Sequence, residues 1–186
     1  DVPRIEEIYR VIEVFTESGI YVKWINDTDL EIKVPKKIKK SGLMSDSSKR
    51  IRSGLMMIAP LLHQLKEFQL PNAGGCKMGA RTISAHKMGL EEFGVKVKVN
   101  SDCYEISAKK LKPTEVVLYE MSDTATINML LMAALLPGRS EIKFCSANYH
   151  VQDVCYFLKK MGVKIEGIGT TNLVVHGVAE IDQNIE

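Results

Sequence analysis

No apolar run in the chain approaches the roughly 18 residues that a membrane-spanning helix needs, and no signal-peptide pattern opens it. Cysteine is sparse and unclustered. Cys76, Cys103, Cys145 and Cys155 form no Cys-x-x-Cys pair and no Cys/His group at zinc-ligand spacing. An excess of one charge is also missing, with 25 Lys and Arg against 23 Asp and Glu. These absences point away from a membrane partner, a metal site and a bound cofactor, and none of these is expected. The one basic run, Lys36-Lys37-Ile38-Lys39-Lys40, has no interleaved aromatic residue. It reads as a solvated loop and not as a nucleic-acid site. Cys145 falls in an apolar strand and Cys155 on an apolar helix face, so both read as buried and reduced, which suits the cytoplasm. At 186 residues and 45% hydrophobic, one soluble domain or a little more is expected.

What is present is an internal repeat. Aligning the chain on Gly19, Gly94 and Gly162 brings Ile8, Ile83 and Val151 into register. It also aligns Val11 with His86 and Val154, and Phe15 with Leu90 and Leu158. Each set is a helical stripe, and each glycine stands where a helix should end. Alternating runs follow at Ile20–Trp24, Val95–Val99 and Val163–Glu166. Each leads through a polar turn to a second short strand, around Leu30–Ile32, Tyr104–Ile106 and Leu173–Val175. Ser48–Leu62 and Ser122–Leu136 read as apolar helices, with Phe68–Leu70 and Ile142–Phe144 as the strands after them. Val116–Leu118 reads as a strand before the second helix. The full unit is therefore β-α-β-α-β-β, with two complete copies and a first copy lacking its leading half. His86 falls on a core stripe and is expected to pack, and Met56, Met57, Met129 and Met132 read as core filler.

The repeat does not account for Ala73-Gly74-Gly75-Cys76-Lys77-Met78-Gly79-Ala80-Arg81. Leu70 and Ile83 are 13 positions apart, where the equivalent Phe144 and Val151 are 7 apart. The adjacent glycines free the backbone, and a helix begins near Ile83. A thiol on such a loop, near an arginine and a helix N-terminus, favours its thiolate form and the binding of anions. Long loops on a regular frame are where function tends to sit. The incomplete first unit and the opening Asp1 predict a piece of a longer protein, with 179–186 as a linker to a second domain.

These residues resemble the enolpyruvyl transferase family, and within it the UDP-N-acetylglucosamine 1-carboxyvinyltransferases. The resemblance runs from Val2-Pro3-Arg4 to His176-Gly177-Val178. Gly74-Gly75-Cys76-x-x-Gly79-Ala80-Arg81 is its most specific motif, supported by Lys49–Ser53, Ala125-Thr126 and Met132–Gly138. It implies an inside-out α/β barrel with pseudo-threefold symmetry over 1–178: a partial first unit 1–41, a second 42–111 and a third 112–178. It further implies transfer of the enolpyruvyl group of phosphoenolpyruvate to the 3-hydroxyl of UDP-N-acetylglucosamine. That is the first committed step of peptidoglycan synthesis, and so bears on cell shape and division. Cys76 takes the place of the general acid that fosfomycin alkylates, and Arg81 and Arg52 those of substrate-binding arginines. Thr82, Ile83, Ser84 and Ala85, with Met121, Ser122 and Asp123, occupy the nucleotide-sugar contact segments. The chain alone is expected to be inactive, since the cleft needs the second domain.

The chain departs from the usual family pattern around the acceptor. Thr82-Ile83-Ser84-Ala85 stands where Pro-Val-Asp-Leu is usual, and Ala73 where a proline is. Ser122-Asp123-Thr124 stands where Ser-Val-Gly is frequent, with Glu120 in a region that is often basic. Two alternatives therefore stay open: a shikimate-3-phosphate enolpyruvyl transferase, against which the Gly-Gly-Cys loop argues, and a diverged ligand-binding paralogue without turnover.

Overall fold

The computed structural model describes residues 1–72 and 83–181. In chain order they form α1 (Glu6–Glu17), β1 (Tyr21–Trp24), β2 (Leu30–Lys33), and 3-10 turns at Lys40–Met44, Ser48–Arg50 and Ser53–Met57. Then come α2 (Ile58–Leu62), β3 (Glu67–Pro71), α3 (Ser84–Glu92), β4 (Val95–Val99), β5 (Cys103–Ala108) and β6 (Glu115–Val117). The series closes with α4 (Asp123–Ala134), β7 (Gly138–Lys143), α5 (Tyr149–Lys160), β8 (Lys164–Glu166) and β9 (Asn172–Gly177). The class is α/β. Among the described residues no helix is long and apolar enough to cross a membrane.

Helices α1, α3 and α5 end at the predicted glycines. Gly19, Gly94 and Gly162 have φ of +86°, +95° and +91°, a region that L side chains avoid. The turn lets the next amide reach back. Ile20 N–H donates to Phe15 O at 2.8 Å and Val163 N–H to Leu158 O at 3.0 Å, closing the helix ends in Schellman fashion.

Of the described residues, one compact unit takes 1–55, 67–72 and 98–106, and the other takes 56–66, 83–97 and 107–181. In the first unit, β1 and β2 form an antiparallel hairpin with Val22 opposite Ile32. Arg4 stacks its guanidinium 4.1 Å from the Trp24 ring centroid and ties the leading segment to this hairpin. Strand β3 belongs to a three-stranded sheet of order β3-β5-β4, and the turn Lys40–Met44 lies beside it.

The second unit is built around α4, which is apolar on all sides. Ala125, Met129, Leu130, Met132 and Ala133 are fully buried on it, as suits a helix surrounded by protein. It is covered by α2, α3 and α5 and by strands β7 and β9. Gly89 permits the approach of α3, since a Cβ there would stand 2.6 Å from Met129 Sδ. The sheet has the order β6-β7-β9-β8. Strands β6 and β7 are parallel, with Val116 opposite Ile142, and the other pairs are antiparallel. Val116, Ile142, Leu173, Val175 and Ile165 make its buried row. Residues 115–177 thus run β-α-β-α-β-β, the order read from the sequence.

Two expectations are corrected. Ser48–Leu62 is not one helix but two 3-10 turns and the short α2. Pro60 falls in the first turn of α2, where its missing N–H is tolerated, but its ring would clash with the carbonyl four residues back in a helix continuing from the preceding turn. Ile51 is extended, at φ −116° and ψ 138°. The second repeat also has no leading strand among the described residues. The turn Lys40–Met44 occupies that place beside β3. Gly42 presses there on the backbone of Glu17 and Ser18, which leaves no room for a side chain.

Candidate active site

Cys76, Arg81 and Thr82 lie outside the described residues. The stem leading to them is described. Asn72, the last described residue before them, donates its N–H to Asp102 O at 3.0 Å and its Nδ2 to Ser101 O at 2.5 Å, which pins it to the β4–β5 turn. In the same unit Arg52 is half-buried between two 3-10 turns, and its carbonyl accepts Leu55 N–H at 3.1 Å. The cavity lined by Ser48, Ile51, Gly54, Leu55, Leu70 and Pro71 has a volume of about 10 Å³. That is room for one water at most, far below the roughly 300–1,000 Å³ of small-molecule sites, so it is a packing gap beneath the Arg52 segment.

The second unit brings together Ile83–Ala85 and Met121–Asp123, the two segments in which nucleotide-sugar contacts are expected. Ile83 and Ala85 are buried and Ser84 half-buried at the start of α3. Met121 is exposed, and Ser122 caps α4 by accepting Ala125 N–H on its Oγ at 3.3 Å. A polar chain joins these helix starts. Ala59 N–H donates to Asn128 Oδ1 at 3.2 Å, and Asn128 Nδ2 lies 2.9 Å from His86 Nδ1. His86 Nε2 lies 3.1 Å from Thr124 Oγ1, which is 3.4 Å from Ser122 Oγ. With Asn128 Nδ2 donating to His86 Nδ1, His86 Nε2–H donates to Thr124 Oγ1. His86 is 2% exposed, so the expectation of a packed histidine holds, and the packing is polar.

The start of α5 arrives at the same place. Asp123 accepts Ser146 Oγ at 2.5 Å and Asn148 Nδ2 at 2.9 Å, with His150 Nδ1 at 3.8 Å. The N-termini of α3, α4 and α5 therefore meet where the parallel strands β6 and β7 end. Such an end favours anions and, in open α/β sheets, ligands. Tyr119, Phe144 and Tyr149 are exposed around it. Phe144 adopts φ +57°, a left-handed conformation that a bulky residue seldom takes. Sequence reasoning missed Asn128, Ser146, Asn148 and His150 as partners of these segments, because their links span 23 residues or more of chain. Among the described residues no three or more His, Cys, Asp or Glu cluster as metal ligands would.

An α/β unit whose helix starts converge on one anion-favouring end is the class that fold and site define. A family model for EPSP synthase (3-phosphoshikimate 1-carboxyvinyltransferase) matches residues 1–186, and the chain belongs to this family of enolpyruvyl transferases. Among curated relatives, the UDP-N-acetylglucosamine 1-carboxyvinyltransferase of Bradyrhizobium diazoefficiens is 35% identical over 183 residues, 98% of this chain and 42% of that protein. The enzyme of the same name from Treponema denticola is 31% identical over 182 residues, again 98% of this chain and 42% of the relative. The chain thus spans about two fifths of the length of these relatives. In fold it is similar to the enolpyruvyl transferase NikO from Streptomyces tendae, with a TM-score of 0.74 at 20% identity over 95% of this chain and 41% of that one. It is also similar to EPSP synthase from Acinetobacter baumannii, with a TM-score of 0.65 at 14% identity over 93% and 39%.

Proposed function

We propose that the protein carrying this chain transfers the enolpyruvyl group of phosphoenolpyruvate to the 3-hydroxyl of UDP-N-acetylglucosamine, the step that commits precursors to peptidoglycan. The observation that carries the reading is the Gly74–Arg81 motif in a chain 35% identical, over nearly its whole length, to an enzyme of that name. In the proposed mechanism the acceptor hydroxyl passes its proton to a base in the completed cleft and its oxygen bonds to C2 of phosphoenolpyruvate, as the Cys76 thiol delivers its proton to C3. The tetrahedral adduct then returns a C3 proton to the Cys76 thiolate and expels phosphate, which leaves with the proton held by the base, and the double bond is restored. Arg81 and Arg52 hold the anionic groups and stabilise charge as it shifts. Thr82, Ile83, Ser84 and Ala85, with Met121, Ser122 and Asp123, line the nucleotide-sugar side. The fold reading that goes with this is an inside-out barrel over 1–178 with units 1–41, 42–111 and 112–178. A linker at 179–186 leads to a second domain that completes the cleft, in a cytoplasmic enzyme open to fosfomycin.

The test is fosfomycin labelling of the intact protein. A single adduct on Cys76, formed faster with UDP-N-acetylglucosamine present, supports the reading. No adduct at Cys76 under either condition refutes it. A second reading, a ligand-binding paralogue without turnover, draws on Asp123. Its carboxylate occupies the start of α4 and is already engaged by Ser146 and Asn148. A turnover assay on the same protein separates the two.

A further inference from the structure

The backbone around Arg52 is irregular. It is made of 3-10 turns at Ser48–Arg50 and Ser53–Met57, whose hydrogen bonds are poorer than those of an α-helix, and Ile51 between them is extended. Beneath it lies the packing gap bounded by Ser48, Ile51, Gly54, Leu55, Leu70 and Pro71. Two side-chain bonds to α1 straddle the arginine. Ser47 Oγ donates to Glu13 Oε2 at 2.5 Å, and Ser53 Oγ donates to Glu7 Oε1 at 2.5 Å. These separations are those of hydroxyl–carboxylate bonds, which are about twice as strong as neutral ones. They join positions 34 and 46 residues apart in sequence. Glu13 is in turn fixed on its own helix. Arg10 Nη1 donates to its two oxygens at 2.9 and 3.2 Å, while Arg10 Nη2 reaches Glu6 at 3.4 Å.

We propose that Glu7 and Glu13 of α1 are positioning residues for Arg52, acting through the hydroxyls of Ser53 and Ser47. The proposal rests on the reading of Arg52 as a substrate-binding residue. The latches act on the serines at either side, so the segment is set from α1 through hydroxyl groups. A guanidinium that must meet a phosphate or carboxylate in a fixed fork depends on such placement, because small displacements at a binding group cost affinity.

The test is steady-state kinetics on the intact protein, arranged as a double-mutant cycle. Arg52→Gln first identifies the substrate whose KM depends on Arg52. Glu7→Gln and Ser53→Ala are then expected to raise that same KM by roughly fivefold, the loss of one partly solvated charge-assisted bond, with kcat within about twofold of wild type. Ser53→Thr keeps the hydroxyl and is expected to restore KM. In the Arg52→Gln background Glu7→Gln should add nothing to KM. A merely structural role would lower the unfolding temperature alike in both backgrounds and leave no such coupling. The proposal is overturned if Glu7→Gln raises KM equally in both backgrounds, or leaves it unchanged where Arg52→Gln raises it. If Arg52→Gln itself changes no KM, the substrate-binding reading of Arg52 falls and this proposal falls with it, a result separable from the other two. Should Glu7→Gln fail to fold, Ser53→Ala, which deletes only a hydroxyl, gives the answer.

Discussion

Replacing Asn128 by alanine should unbalance the second unit more than any other single polar change there. Asn128 is wholly buried, and its amide serves two elements at once: the Ala59 N–H at the start of α2 and the His86 ring on α3. Truncation removes the acceptor of Ala59 N–H and the donor to His86 Nδ1. Removing one partner of a buried hydrogen bond costs about 1–3 kcal/mol, so losing both bonds costs roughly 2–6 kcal/mol, and the vacated space adds to this. Against a whole-domain stability of about 5–15 kcal/mol that is a large fraction. For a chain of this size it corresponds to a fall in Tm of roughly 8–16 °C at the middle of the range. Thr124→Val, which removes one half-buried hydroxyl from the end of the same chain of bonds, should cost only about 1 kcal/mol. Urea unfolding followed by far-UV circular dichroism measures both, and hydrogen exchange along α4 locates the loss. If Asn128→Ala costs less than about 1 kcal/mol, His86 and Ala59 have other partners and the polar chain does not order the helix starts.

Three further outcomes are expected. Gly94→Ala should destabilise more than Gly162→Ala under thermal denaturation. Both have positive φ, but a Cβ at Gly94 would stand 2.6 Å from Lys110 O, whereas nothing lies within 4 Å of one at Gly162. Burial holds the pKa of His63 below its usual 6.5, although Nε2–H donates to Met132 O at 3.1 Å. As pH falls through 6.5 the unfolded imidazole takes a proton that the folded one refuses. Stability should therefore fall with pH in that window, and His63→Gln should flatten the slope in denaturation curves. Limited maleimide labelling with peptide mapping should find Cys76 first and half-buried Cys103 next, with Cys145 and Cys155 unmodified. The last two are fully buried, and burial, with Cys145 nearby, pushes the Cys155 thiol up to about 11. Labelling of Cys155 ahead of Cys76 would contradict this.

Much of the scaffold was legible because it is written in local spacing. The stripe of Ile83, His86, Leu90 and Phe93 is buried along α3, Val95–Val99 is a strand to the residue, and the three aligned glycines take the conformation that ends a helix. Apolar period and glycine geometry act over a few residues, so a window of sequence contains them. The reading failed at Ser48–Leu62, where apolar content suggested a helix but the backbone limits of Pro60 broke it. It was blind to the bonds that connect segments. Nothing near His86 announces Asn128, and nothing near Asp123 announces Ser146 or Asn148, because side-chain pairing across 23 to 42 residues follows from the fold and leaves no local period. Ser47 stands in no motif and Ser53 only at the end of Lys49–Ser53, and neither signals the pairing with Glu13 and Glu7 that α1 provides. The proposed site is marked in the sequence by a motif, Gly74 to Arg81, which lies outside the described residues, and by two segments, Ile83–Ala85 and Met121–Asp123. That the two segments share one end of the second unit came from the structure.

The central claim is enolpyruvyl transfer, and its most direct test is phosphate release from phosphoenolpyruvate by the intact protein, with and without UDP-N-acetylglucosamine. The account predicts release that depends on the acceptor and is accompanied by a product heavier by the enolpyruvyl group. It also predicts that Cys76→Ser greatly reduces release, since a hydroxyl is a far weaker acid than a thiol. Cys76→Asp should retain turnover while escaping fosfomycin. Phosphate release that ignores the acceptor, or that survives Cys76→Ser at near-full rate, would contradict it.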